Sequence, residues 1–205
     1  MLSSLTNLLL FSSLITTTLS TSAVTTRYWD CCKPSCSWPN KAQVSEPVRT
    51  CNKNDLWPSN GVDPNAVSTC DGGDAYACSN MEPWAVNENL AEWDWCCACY
   101  ELTFTSTSLA GKKIIVQITN TGGDLSPNHF DLAMPGAGFD GAWVGNQYGG
   151  YTDRNQCYLL PEGMIRDGCL FRFDWFMNAD NPSVEWREVS CPKGLVERSG
   201  CGRWS

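Results

Sequence analysis

Three aspartates and one histidine carry the side chains best suited to chemistry. Asp30 sits in Thr25-Thr26-Arg27-Tyr28-Trp29-Asp30-Cys31-Cys32-Lys33-Pro34-Ser35-Cys36, which packs a carboxylate, two rings, a guanidinium and three cysteines into twelve positions. A carboxylate beside aromatics, on a backbone clamped by crosslinks, suits a rigid sugar-handling site. Asp131 lies in Asn128-His129-Phe130-Asp131-Leu132-Ala133-Met134-Pro135-Gly136. His129 and Asp131 are two apart, so on a strand they share a face and turn Phe130 and Leu132 to the core. Asp124 lies just upstream in a Gly-Gly-Asp loop. Two carboxylates across a groove are what glycosidic cleavage needs: one protonates the leaving oxygen, the other activates water or attacks. The donor must keep its proton near neutral pH, through burial or a nearby like charge. Asp124, folded over Asp131, would supply that charge. Taken singly, each aspartate reads first as a surface or turn residue, and the flanking sequence is what favours the catalytic reading. His129 reads as a hydrogen-bonded strand residue, because the two carboxylates already fill the acid and base roles.

Short strands must position these groups. Tyr100-Glu101-Leu102-Thr103-Phe104-Thr105 alternates apolar with polar, and Lys113-Ile114-Ile115-Val116-Gln117-Ile118-Thr119 follows after a turn at Ala110-Gly111, as in a hairpin. Phe171 to Trp175 and Val184 to Val189 also alternate and are expected to be strands. Pro83 to about Trp93 is expected to be a short helix opened by its proline. Many short strands with one or two helices point to a closed barrel carrying functional loops. The adjacent pairs Cys31-Cys32 and Cys96-Cys97, read as strand neighbours, would each staple the chain in two directions.

Composition narrows the class. Residues 1 to about 23 form an uncharged Leu/Ser/Thr run ending in Ser20-Thr21-Ser22-Ala23, which reads as a secretory leader cleaved near Ala23. Its serines and threonines interrupt it too often for a membrane span of about 20 apolar residues. Removing 23 of 205 residues leaves 182, enough for one catalytic domain over 24–205 with a real core, and no linker or carbohydrate-binding module is evident. The chain carries 22 acidic and 14 basic residues, a formal charge of −8, with no basic cluster, so neither nucleic acid nor an anionic membrane is an expected partner. Thirteen cysteines in a secreted chain mean disulfides, and their odd number leaves a thiol unpaired. The spacings Cys-Cys, Cys-x3-Cys and Cys-x-Cys, with a single His, do not suit zinc, so no metal or cofactor is expected. Sequence alone leaves on the order of 10^5 ways to make six pairs. No Asn-x-Ser/Thr sequon is present, so N-glycosylation is not expected.

The stretch from Thr25 to Cys36 resembles the signature of the glycoside hydrolase family 45 endoglucanases. So do Pro83-Trp84-Ala85-Val86-Asn87, Trp95 to Phe104, Asn128-His129-Phe130-Asp131-Leu132, Arg172-Phe173-Asp174-Trp175-Phe176 and Asn178-Ala179-Asp180-Asn181-Pro182-Ser183. These motifs run in order along nearly the whole chain after the leader. The resemblance implies a mainly β fold, a disulfide-rich six-stranded double-psi β-barrel with long loops, a few short helices and an open groove. It implies a monomer that cuts internal β-1,4-glucan bonds with inversion. Asp30 matches the general base, Asp131 the general acid and Asp124 an assisting loop carboxylate. Thr26 and His129 match residues supporting the acid, Tyr28 a residue at the cleavage point and Trp38 a sugar-stacking platform. Trp29 reads as structural. The disulfides implied are Cys32–Cys70, Cys36–Cys96, Cys51–Cys78, Cys97–Cys201, Cys99–Cys191 and Cys157–Cys169.

Two departures from the family pattern stand out. The usual partner of Cys31 follows a Phe-Asp-Gly segment, and here Phe139-Asp140-Gly141 is followed by Ala142, so Cys31 is expected to be a buried free thiol. The chain is also shorter between Leu90 and Trp95, which is expected to leave the groove more open. The competing functional reading is a non-hydrolytic, expansin-like glucan-binding protein, which shares the barrel and the His-Phe-Asp element but lacks a counterpart of Asp30. A disulfide-rich inhibitor or lectin would need neither carboxylate. Preference among cellulose, mixed-linkage glucan, glucomannan and xyloglucan is not encoded legibly.

Overall fold

The computed structural model describes residues 21–56, 63–79, 84–85, 92–122, 128–135 and 150–204. Asp124 and the 139–142 segment lie outside the described residues. Six strands form one sheet: β1 (Thr21–Tyr28), β2 (Trp84–Ala85), β3 (Cys99–Phe104), β4 (Lys113–Ile118), β5 (His129–Ala133) and β6 (Ser183–Val189). Their order is β2-β4-β3-β6-β1-β5. The sheet curls until its end strands, β2 and β5, pack beside one another. This mainly β, disulfide-rich architecture fits the expected double-psi barrel.

The hairpin reading holds: β3 and β4 pair antiparallel from Cys99 opposite Gln117 to Thr103 opposite Lys113. A single 3-10 turn at Thr107–Leu109 joins them and buries Leu109. β6 pairs antiparallel with β3 on one side and β1 on the other. β1 in turn runs parallel to β5, and β2 parallel to β4. Inside the curl, Tyr100, Phe130 and Trp186 pack ring to ring at 5.3–5.8 Å between centroids. Phe104 closes one end of this core against Trp175 and Phe176.

Two expected elements change type. Phe171 to Trp175 belongs to helix α2 (Met164–Asp174) and its C-cap, not to a strand. The alternating rings mimic a strand period, but Phe171 and Trp175 are also four apart, and their rings stack at 5.2 Å and 10°. The buried residues Ile165, Cys169 and Arg172 follow the helical spacing. Gly168 lets this helix press on the chain just after β5, since a Cβ there would lie 2.7 Å from Pro135 Cγ. The helix expected from Pro83 to Trp93 is also corrected. Trp84–Ala85 pairs with Gln117 and Ile118 as strand β2, and the described helix α1 covers only Glu92–Trp95. Tertiary pairing overrides the local preference here. A third helix, α3 (Lys193–Ser199), ends at Gly200, whose φ of +74° needs glycine.

Six disulfides crosslink the described chain: Cys32–Cys70, Cys36–Cys96, Cys51–Cys78, Cys97–Cys201, Cys99–Cys191 and Cys157–Cys169. Closing long loops restricts the unfolded chain most, and Cys97–Cys201 spans 104 residues, worth about 4–5 kcal/mol in the chain-entropy account. The strand-alternation reading of the adjacent cysteines is corrected. Cys31 and Cys97 both have left-handed backbones, with φ of +50° and +64°, so a kink rather than a pleat separates each from its neighbour. Cys31 forms no disulfide, so the first pair staples in one direction only.

Cys31 is 1% exposed. Burial, followed by the nearby Asp30 charge, pushes its thiol up to about 12, so little reactive thiolate forms at neutral pH. Thiol labelling is expected to be slow in the folded protein and to reveal one thiol per chain on unfolding without reductant. Labelling of the folded protein as fast as the unfolded one would contradict this burial.

Candidate active site

The parallel register of β1 and β5 builds one side of the site. Thr26 stands opposite Asp131, and Tyr28 opposite Ala133. On β5, Phe130 and Leu132 are fully buried while His129 and Asp131 share the other, partly exposed face. The Thr26 hydroxyl donates to Asp131 Oδ1 at 2.6 Å and lies 2.8 Å from His129 Nε2. A threonine has one hydroxyl proton, so with that proton on Asp131 it must accept from His129. His129 then carries its proton on Nε2. The chain of donors runs from His129 through Thr26 to Asp131.

Asp30 lies two residues beyond the end of β1. Its Oδ1 accepts the Cys32 N–H at 3.0 Å, a tight turn that holds the carboxyl against its own backbone. The Cys32–Cys70 bridge anchors the same loop. With Trp29, Cys31, Ala77 and Ala133, Asp30 lines a cleft of about 20 Å³. That is space for about one water molecule. Thr26 precedes Asp30 by four residues, so Asp30 lies at most about 13 Å further along the strand direction than Asp131. The charges of both carboxylates act on Tyr28, the last residue of β1.

Tyr28 feels the charge of both. Burial, then the Asp30 charge, keeps its phenol protonated far above the ordinary tyrosine range. Asn120 donates from Nδ2 to Tyr28 Oη at 3.4 Å and accepts the Ser35 N–H at 2.9 Å. Thr121 Oγ1 donates to Glu92 at 3.0 Å, and Lys41 bonds the same carboxylate. Burial pushes the Glu92 carboxyl up, but hydrogen bonds from Lys41, Ser35 and Thr121 outweigh it and hold it below the usual range. Asn120, Thr121 and Glu92 escape a sequence reading. The available signal was a polar Thr-Asn-Thr run where an apolar strand meets a Gly-Gly loop.

Trp38 is half-buried and caps a 3-10 turn at Ser35–Ser37, away from the Thr26–Asp131 pair in sequence. Trp29 is buried at 3% exposure, as its structural reading requires. Among the described residues no cluster of His, Cys, Asp or Glu is arranged to hold a metal ion.

A family model for glycosyl hydrolase family 45 matches residues 22–202. The chain belongs to this family. An endoglucanase of Cryptopygus antarcticus is 46% identical over 89% of both chains. An endoglucanase of Phaedon cochleariae is 39% identical over 89% of this chain and 85% of its own. A longer Fusarium oxysporum relative is 52% identical over 98% of this chain, which spans 58% of that protein's length. The crystal structure of the Antarctic springtail cellulase superposes with a TM-score of 0.80 at 45% identity, covering 91% of this chain and 99% of that one. The fold of that cellulase is thus matched over almost all of this chain.

Burial raises the Asp30 carboxyl, with the Cys32 N–H opposing it. A raised value means the folded protein holds this proton more tightly than the unfolded chain does. Ionised Asp30 therefore costs stability as pH rises through its folded value, and the cost disappears below the unfolded value. Asp30→Asn keeps an oxygen to accept from Cys32, and is expected to raise Tm at neutral pH. That gain should shrink as pH falls into the carboxylate range. A gain independent of pH would mean that ionisation of Asp30 is not its source.

Proposed function

We propose that the chain is a secreted endo-1,4-β-glucanase that cleaves internal bonds of β-1,4-glucans with inversion. The single observation that carries this reading is that Asp131, held by Thr26 across the β1–β5 pairing, and Asp30 both place their charges near Tyr28. Family membership and the endoglucanase relatives support the substrate class.

In this mechanism Asp30 is the general base. Its raised affinity for a proton makes it a better acceptor, provided the working pH keeps it ionised. A water in the cleft it lines gives its proton to Asp30 and attacks the anomeric carbon. Asp131 is the general acid. Thr26 engages Oδ1 and orients the carboxyl, which delivers its proton to the leaving oxygen. Proton transfer and water attack come from opposite faces of the sugar, so the anomeric centre inverts. Asp124 assists as a like charge that helps Asp131 keep its proton. Tyr28 stays neutral and offers its hydroxyl at the cleavage point. The substrate is a polysaccharide chain, the enzyme acts as a monomer, and it needs no cofactor.

Asp30→Asn and Asp131→Asn are each expected to lower kcat on soluble carboxymethylcellulose by about 10²–10⁴-fold while folding normally. Thr26→Val should cost about tenfold in kcat, the worth of one hydrogen bond to the charge that develops as Asp131 gives up its proton, with less effect on KM. Reducing-end release measures each. Near-normal turnover in either aspartate variant would sink the assignment, and a β-configured first product by NMR would refute inversion.

Secretion carries its own refinement. Thr21, Ser22 and Ala23 pair with Trp186, Glu185 and Val184, and Ala23 is buried. Cleavage after Ala23 would strip three residues from β1, so the leader is proposed to end before Thr21. N-terminal sequencing of the secreted protein should begin at or before Thr21, and a start at Val24 would contradict this.

A further inference from the structure

Lys33 belongs to neither the catalytic pair nor the disulfide framework, yet it is only 6% exposed. A buried ammonium is costly unless other groups replace its water. Here Lys33 Nζ donates to the carbonyl oxygens of Pro64 and Ala66, each at 2.8 Å. It also lies 3.3 Å from the centroid of the Trp38 ring. Its backbone N–H donates to Ser68 Oγ at 3.2 Å. Burial lowers the ammonium's proton affinity, and the charge of Asp63 works against that.

The consequence for Trp38 is geometric. The 3-10 turn before it sets its backbone, with the Trp38 N–H bonded to Ser35 O at 3.2 Å. A turn does not set the ring's own rotation about χ1 and χ2. The ammonium does, because its attraction to a ring face is directional. An ammonium at 3.3 Å also closes that face to any ligand. The same ring borders a hollow of about 210 Å³ with Asn40, Lys41 and Glu46, whose polar groups suit sugar hydroxyls.

We propose that Lys33 is a positioning residue for Trp38: it closes one ring face, locks the ring's orientation and leaves the opposite face for a glucosyl unit of the substrate. The proposal rests on the glucanase reading. Lys33 also ties the platform to the loop that carries the base. Lys33 is bonded to the 64–68 segment, and Cys32–Cys70 ties that segment to the loop of Asp30.

The test is a double-mutant cycle read by calorimetry. Cellohexaose binding is measured in an Asp131→Asn background, where it is not consumed, and KM is measured separately with Asp131 intact. Lys33→Met keeps the stem and removes the charge. It is expected to weaken cellohexaose binding by about 3- to 10-fold and to raise KM more than it lowers kcat. Added to Trp38→Ala, it should cause little further loss. An equal loss with and without Trp38, or a fall in kcat at unchanged affinity, would overturn the proposal. Lys33→Gln, whose amide can still donate to the carbonyls, serves if the Met variant does not fold. Failure of both to fold would assign Lys33 to the scaffold and overturn the proposal as well. Absence of cellohexaose binding with Lys33 and Trp38 intact would instead count against the glucanase reading on which it rests.

Discussion

The parallel pairing of β1 with β5 is the constraint on which the rest of the site depends. It sets Thr26 against Asp131 and brings the ends of both strands out together, so the loop carrying Asp30 begins where β5 finishes. A slip of one residue within β5 would turn Asp131 into the space now filled by Phe130 and Leu132. Both are fully buried, and an ionised carboxylate could not replace them without a large desolvation cost. The hydrophobic core thus enforces the polar register. The energetic reason lies on the inner face of β5, and the chemistry lies on the outer one.

The second support is covalent. The chain leaving β1 is not a regular element, and Cys31 within it has a left-handed backbone. Such a segment is held by what surrounds it rather than by its own hydrogen-bond ladder. Asp30 is held by the Cys32 N–H, Cys32 by Cys70 and Cys36 by Cys96. Arg27 adds a further tie by donating to the carbonyls of Asn178 and Ala179, in the irregular turn that leads into β6. Cys31 contributes packing rather than a bridge. Cys31 lines the cleft with Asp30 and offers no competing nucleophile there, because burial keeps its thiol protonated.

Burial works in one direction on several groups at once. Asp30, Tyr28 and the Cys31 thiol are all pushed towards their protonated forms, mainly by loss of water, and the Asp30 charge adds to the shift at Tyr28 and Cys31. When Asp30 ionises, its phenol and thiol neighbours stay neutral. The cationic counterparts sit further out: Lys33 against Trp38 and carbonyl oxygens, and Lys41 against Glu92. Asp30 is thereby left without a formal ion pair among the described contacts, which suits a group that must accept a proton during turnover.

Much of this was legible in the chain itself. The alternation around His129 and Asp131 determined which side chains share a face, because strand geometry leaves two choices and Phe130 and Leu132 take the inner one. The β3–β4 hairpin was equally plain, since both strands carry their own period and the turn between them is short. Phe171 to Trp175 was misleading because spacings of two and four coexist there, and only packing against Pro135 and the Cys157–Cys169 bond selects the helix. Trp84–Ala85 had no local strand signal, since two residues become a strand only when β4 is beside them. Residue types and order thus determined the chemistry available: carboxylates, a supporting threonine and histidine, and an odd thiol. Tertiary structure alone decided which groups meet, from Thr26 bonding across 105 residues to Asp131 to Lys33 lying over Trp38. Contacts at such separations are set by strand pairing and crosslinks, and no local period encodes them.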